Sequence, residues 1–282
     1  MRKLIALDMD GTLLTTQKEI SVENRQAIKD AQSAGHIVMI CSGRPHDSLI
    51  SYLKKEGLGD LPISASNGAI TLVEGDIIHR VKMDLSIVNQ LFVWLDEKEY
   101  PFNLYTNQGI FGPPTFLERA EKGLKAAPPR ENTHFVNLGL IAEYLDKVAA
   151  ISFESWDELP TDLEVFKFYV FTPEPDKKMA FETFAHGLRN LTVTSSYADN
   201  VEISDVAGHK GTGIIAVANH FNIPIENTVA IGDNFNDLGM LEVAGFSVAM
   251  GNAEEEIKQI ADVVTLTNDE SGVAHAIKEY IL

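Results

Sequence analysis

Short apolar runs, each stopped abruptly by polar residues, alternate along much of this chain with longer stretches in which apolar residues recur every third or fourth position. The first kind reads as buried strand and the second as amphipathic helix. Residues 3–7 form the first such strand. Ser21 is placed to cap a helix through SVENRQAIKDAQSAG, which turns Ala27, Ile28, Ala31 and Ala34 to one face and stops at Gly35. HIVMIC (36–41) is a second strand, SGRP breaks it, and Pro45 opens a helix carrying Leu49, Ile50 and Leu53. PISAS (62–66) is a third strand, ended by Asn67-Gly68. Strand, helix, strand, helix, strand predicts a parallel sheet with right-handed crossovers. AITLV and DIIHR, on either side of Glu74-Gly75, predict a hairpin.

The middle of the chain has another rhythm. DLSIVNQLFVWLDEK (84–98) predicts an amphipathic helix, PFNLYT (101–106) a strand, and TFLERAEKG a short helix within a Pro-, Gly- and Asn-rich stretch over 107–140. Strands are expected over 147–155 and 163–172, and a helix over 176–188. From about residue 191 the strand–helix alternation is read as resuming, with LTVTSS, NVEIS, TVAIGD (228–233), FSVAM and DVVT as strands. HKGTGIIAVANHF, NDLGMLEVAG, EEEIKQIA and NDESGVAHAIKEYI are the helices between and after them. The expected fold is therefore α/β, a doubly wound, Rossmann-like parallel sheet formed by residues 1–82 and 193–282, with residues 83–192 inserted as an α+β module. In such sheets ligands bind beyond the carboxyl ends of the strands.

Polar clusters occupy those ends. They are Asp8-Met9-Asp10, Ser42-Gly43-Arg44, Ser66-Asn67-Gly68, and Gly232-Asp233-Asn234 with Asn236 and Asp237; His209-Lys210-Gly211 opens a helix nearby in the pattern. Clustered carboxylates need a counter-charge, and oxygen ligands without His or Cys suit a hard cation such as Mg²⁺. With the cluster neutralised, one aspartate can attack phosphorus and a second, two residues on, can move the proton. The whole chain has 41 acids against 23 Lys and Arg, a formal charge of −18. Such a surface repels nucleic acid and anionic lipid, so neither is expected as a partner. An anionic substrate then needs local positive charge, which a bound cation, Lys210 and Arg44 can supply. Cys41, the single cysteine, sits in an apolar run and is expected in the core. No apolar stretch approaches membrane-spanning length, and a cytoplasmic location is expected. Trp94 and Trp156 are expected to pack, and Lys167 to face solvent.

These motifs, in this order, resemble those of the haloacid dehalogenase superfamily of phosphatases. Asp8-Met9-Asp10-Gly11-Thr12-Leu13-Leu14 is similar to its DxDGTLL motif, Ser42-Gly43-Arg44-Pro45 to its second, Lys210 to its third, and the segment from Gly232 to Leu241 to its GDxxNDxxML motif. The insertion resembles the type-two cap of the Cof-like sugar phosphatases. The resemblance implies Asp8 as nucleophile and Asp10 as general acid and base. It implies Mg²⁺ held by Asp8, the Asp10 main-chain carbonyl and Asp233, with Asp237 in support. Ser42 and Lys210 would bind the phosphoryl group, and Thr12, Gly43, Arg44, Asn67 and Asn236 would orient it or line the pocket. His209, where the family often has a small or hydroxylic residue, is expected at a solvent-exposed helix start. The implied activity is hydrolysis of small phosphorylated metabolites, sugar phosphates above all, under a closing cap that sets specificity. A phosphomutase or other phosphotransferase, and a non-catalytic metabolite-binding protein on the same fold, stay open as alternatives.

Overall fold

The structure, a computed structural model, describes residues 1–59, 61–128, 137, 139–143, 150–195 and 197–282. It divides into two compact units, Met1–Arg80 with Gly208–Leu282, and Val81–Ala207.

The first unit is built on an eight-stranded sheet. Its strands are β1 (Leu4–Asp8), β2 (Ile37–Cys41), β3 (Ile63–Ala65), β4 (Ile70–Val73), β5 (Asp76–Arg80), β12 (Thr228–Gly232), β13 (Phe246–Ala249) and β14 (Val263–Val264). Their order is β14-β13-β12-β1-β2-β3-β4-β5. All neighbours are parallel except β3–β4 and β4–β5, the expected hairpin and its join to the sheet. Helix α1 (Val22–Ser33) links β1 to β2 and α2 (His46–Lys55) links β2 to β3. Ser21 caps α1 by accepting from Asn24 N–H. The chain moves outward one way from β1 to β3 and the other way from β12 to β14. With right-handed crossovers this winding covers both faces, which explains why Leu4, Ile5, Ala6 and Leu7 are all fully buried. The direction reverses between β1 and β12, and the crevice of a doubly wound sheet lies at that switch point.

The remaining helices of this unit are α6 (Lys210–His220), α7 (Leu238–Val243), α8 (Glu255–Ile260) and α9 (Gly272–Tyr280). Gly68, at φ +97, brings the turn after β3 so close to the start of α6 that a Cβ there would overlap the His209 carbonyl.

The second unit has a six-stranded sheet of order β10-β11-β9-β6-β7-β8. These are β6 (Phe102–Thr106), β7 (Gly109–Gly112), β8 (Ile151–Ser152), β9 (Val165–Phe171), β10 (Leu191–Thr194) and β11 (Asn200–Asp205). Alternation sorts β9: Phe168 and Val170 join a cluster with Val88, Leu91 and Leu95 of α3 (Leu85–Glu97) and Phe181 of α5 (Pro175–His186), whereas Tyr169 and Phe171 face Phe116 and Ala120 of α4 (Phe116–Ala126). Trp94 stacks on Phe184 at 4.7 Å between centroids, and Trp156 packs on Phe92, as expected of packing residues. Residues 147–149 of the expected 147–155 strand lie outside the described residues.

Two expectations are corrected here. The strands at 191–205 do not resume the parallel sheet. They form an antiparallel pair that continues onto β9, so the chain returns to the first unit at Gly208 rather than at 193, and it leaves at Arg80 rather than at 82. Lys167 does not face solvent: it is 2% exposed and donates to Glu202 Oε2 at 3.0 Å, with its ammonium 4.5 Å from the centre of the Tyr105 ring. No helix among the described residues is long and apolar enough to cross a membrane.

Candidate active site

Strands β1 and β12 lie side by side at the switch point, and each ends in an acid. Asp8 closes β1, and Asp233 follows β12 directly. A one-turn segment, Phe235–Asp237, then turns Asp237 back beneath the loop, where its Oδ2 accepts from the N–H groups of Asp233 and Asn234 at 2.9 and 3.0 Å. Carboxylate oxygens of Asp8, Asp233 and Asp237 all lie within 4.8 Å of one another. Gly11, at φ +91, makes this approach possible, because a Cβ there would overlap the Asp233 carboxylate. Thr12 Oγ1 donates to Asp233 Oδ1 at 2.8 Å.

The cation of this cluster is Lys210, the first residue of α6. It is fully buried, and its ammonium donates to both Asp8 Oδ1 and Asp237 Oδ1. Burial opposes its charge, but Asp237 and Asp8 outweigh burial and hold the lysine protonated above its ordinary range. One lysine does not balance three acids. Burial, and then the Asp237 charge, push the Asp8 carboxyl well above its usual value despite Lys210. Asp233 is pushed up to about 6 for the same two reasons, against the pull of Thr12 and Lys210. The donor set is all oxygen and short of positive charge, which suits a hard divalent cation.

Asp10 is placed differently. Its carboxylate accepts from Arg44 Nε and Nη2, both at 2.8 Å, and from Lys18 Nζ at 3.2 Å. Burial works against its charge, yet these two cations hold its carboxyl below the ordinary value. Beside it the loops after β2 and β3 are laced together. Ser42 N–H donates to Ser64 O, Asn67 N–H to Ser42 O, and Ser66 N–H to Arg44 O, at 2.8 to 3.0 Å. Asn67 takes a left-handed conformation at φ 59, lies against Gly43, and accepts from Asn236 Nδ2 at 3.4 Å. Cys41 has no part in nucleophilic chemistry here: it is buried and its thiol is pushed up to about 12 by burial.

Residues 5–277 match the family described as haloacid dehalogenase-like hydrolase. The chain belongs to the haloacid dehalogenase-like hydrolase family. It is an enzyme of the phosphatase class. It is 35% identical over 285 residues to phosphatase YwpJ of Bacillus subtilis, covering 99% of this chain and 100% of that protein. It is 28% identical to pyridoxal phosphate phosphatase YbhA of Escherichia coli, covering 99% of both. Among solved structures, a haloacid dehalogenase-like hydrolase from B. subtilis superposes with a TM-score of 0.83 at 32% identity, over 99% of this chain and 100% of that one.

For this haloacid dehalogenase-like hydrolase, the structure brings Asp8, Asp233, Asp237, Lys210 and Thr12 into one cluster and pairs Asp10 with Arg44. Several details differ from the expectations. Thr12, expected at the phosphoryl group, is fully buried and supports Asp233. Arg44 grips Asp10. The Asp10 side chain lies outside the three-acid cluster. His209 is not solvent-exposed: it is half-buried, its Nδ1 has no hydrogen-bond partner, and it rests against Gly239 of α7.

Four supporting residues were not singled out from the sequence. They are Lys18, Asn24, Asn252 and Asn268. Asn24 Nδ2 donates to Leu13 O, Asn268 Nδ2 to Leu14 O, and Asn252 Nδ2 to Gly11 O. They hold the turn after β1 from as far as 254 residues away in sequence. No local pattern marks an asparagine for that task.

Proposed function

We propose that this enzyme is a Mg²⁺-dependent phosphatase for small phosphate monoesters, sugar phosphates above all, acting through an aspartyl phosphate on Asp8. The observation that carries the proposal is the buried row Asp8–Lys210–Asp237 with Asp233 alongside, at the carboxyl ends of β1 and β12. Lys210 favours the ionised form of Asp8 that a nucleophile requires, against burial and Asp237, and a bound Mg²⁺ would supply the rest of the positive charge. Mg²⁺, bound by Asp8, Asp233 and the Asp10 main-chain carbonyl with Asp237 behind them, would neutralise the acids and draw charge from the phosphoryl oxygens.

A carboxylate oxygen of Asp8 attacks phosphorus, and the bond from phosphorus to the ester oxygen breaks. For this half Asp10 takes up a proton from solvent, against the pull of Arg44 and Lys18, and gives it to that leaving oxygen. In the second half, Asp10 takes a proton from water as the water attacks phosphorus, and the bond to Asp8 breaks to release phosphate. With Arg44 and Lys18 on its carboxylate, Asp10 is in the ionised form that suits this second half. Ser42 and Lys210 are assigned to the phosphoryl group, and Gly43, Arg44, Asn67 and Asn236 to the pocket wall. Choice of leaving group is assigned to the inserted unit. Relatives named for pyridoxal phosphate and for 5-amino-6-(5-phospho-D-ribitylamino)uracil support small phosphorylated metabolites as the substrate class.

The test is phosphate release from a panel of sugar phosphates and an aryl phosphate, with Mg²⁺, with chelator, and with Asp8→Asn. Release that needs Mg²⁺ and vanishes in Asp8→Asn is expected. Isomerised sugar phosphate without release would instead assign a mutase.

A further inference from the structure

Asp10 stands in a ring of contacts with one member, Tyr52, that the proposed chemistry does not use. Arg44 grips the carboxylate in a two-pronged pair, and Lys18 reaches it from the other side. Both cations lead to the same residue, Tyr52 on α2. The Arg44 guanidinium carbon lies 5.8 Å from the centre of the Tyr52 ring, within cation–π range. The Tyr52 hydroxyl donates to the main-chain carbonyl of Lys18 at 3.1 Å. Lys18 is itself held in the left-handed region, at φ 62, in a tight turn where its N–H bonds to Thr15 O and Thr15 N–H to Glu19 O.

Each link constrains the next. The Lys18 side chain is 57% exposed, and an exposed ion pair alone holds little. A non-glycine residue in the left-handed region is strained, so the turn relaxes unless something fixes it. The Tyr52 hydroxyl fixes it at the Lys18 carbonyl and thereby fixes where the ammonium starts from. The Tyr52 ring limits the swing of Arg44, and a fork of two bonds from Arg44 sets the plane of the Asp10 carboxylate.

We propose that Tyr52 is a positioning residue for Asp10: through Arg44 and the Lys18 turn it holds the second carboxylate where a proton passes to the leaving oxygen. The proposal rests on the assignment of Asp10 as acid and base. Tyr52 acts through its neighbours, not on the reacting atoms.

The experiment compares kcat/KM on an alkyl phosphate, whose leaving oxygen must be protonated, with kcat/KM on 4-nitrophenyl phosphate, whose leaving group departs without a proton. Asp10→Asn sets the full effect, a fall in the alkyl-to-aryl ratio of about a hundredfold or more. Tyr52→Leu removes ring and hydroxyl and is expected to lower that ratio about tenfold, and Tyr52→Phe, which keeps the ring, about threefold. KM for the aryl substrate and the thermal midpoint are expected to hold. Should Tyr52→Leu fail to fold, Tyr52→Phe and Lys18→Met carry the test. A ratio unchanged in the Tyr52 variants, or equal losses on both substrates, overturns the proposal. A ratio unchanged in Asp10→Asn overturns the acid–base assignment itself, and with it the ground of the proposal.

Discussion

Lys210 balances two buried acids, Asp8 and Asp237, with no exposed surface of its own. Removing one partner of such a group leaves uncompensated charge in the interior. Lys210→Met is therefore expected to destabilise the metal-free protein at pH 7.5 by about 3 kcal/mol, read as a fall in urea midpoint, and to abolish turnover. Asp233 sets a pH dependence of opposite sense to that of a salt-bridged acid. Its ordinary value is 3.8 and the fold raises it to about 6, chiefly through burial and Asp237. The folded state thus keeps a proton that the unfolded chain releases. Metal-free stability from this group is full below 3.8 and declines as pH rises through about 6. A divalent cation reverses the sign, because it binds the ionised form. The rise in Tm on adding Mg²⁺ is expected to be full at pH 7.5 and to fade as pH drops below about 6; Asp233→Asn is expected to raise the metal-free Tm and cancel most of the Mg²⁺ effect. A Mg²⁺ shift independent of pH across this window contradicts that account. The acids themselves were legible in the sequence, because Asp8 and Asp233 directly follow apolar runs, with Asp10 and Asp237 two and four residues on. The direction in which Thr12, Arg44 and Asp10 point was not, since it depends on contacts made across tens or hundreds of residues.

At the scale of elements, strands buried on both faces were read directly from continuous apolar runs such as LIAL and IVMI. Caps and stops were legible at Ser21 and Gly35. The pair β10 and β11 was assigned to the wrong sheet for a physical reason. Two short alternating strands carry no signal for which neighbour they pair with, and only the antiparallel register onto β9 settles it. The same register explains Lys167. A lysine within VFKFYV has the pattern of a half-exposed strand, but β11 brings Glu202 beside it. Lys167→Met is expected to destabilise the second unit by about 3 kcal/mol, and adding Glu202→Leu to recover part of that loss, because a removed pair costs less than a broken one. A double-mutant cycle on urea unfolding checks this. Additive losses would mean that the pair does not act together.

For the whole molecule, the interruption of one α/β unit by an α+β unit was visible as a change of rhythm, while its limits at Arg80 and Gly208 were not. The net charge of −18 makes the local arrangement of cations at the carboxyl ends of β1, β2 and β12 the more telling feature, since the overall field repels a phosphate ester. The chain matches its phosphatase relatives over nearly its full length, so the chemistry proposed here belongs to the chain as a whole. At the centre of that chemistry, Asp8 carries the phosphoryl group between the two halves of the reaction. The most direct test is rapid acid quenching of the enzyme during turnover of a ³²P-labelled phosphate monoester with Mg²⁺, followed by peptide mapping. Label is expected on the peptide containing Asp8, removed by hydroxylamine as for an acyl phosphate and absent in Asp8→Asn. Phosphate release with no protein-bound label at any quench time, or label on another residue, would contradict it.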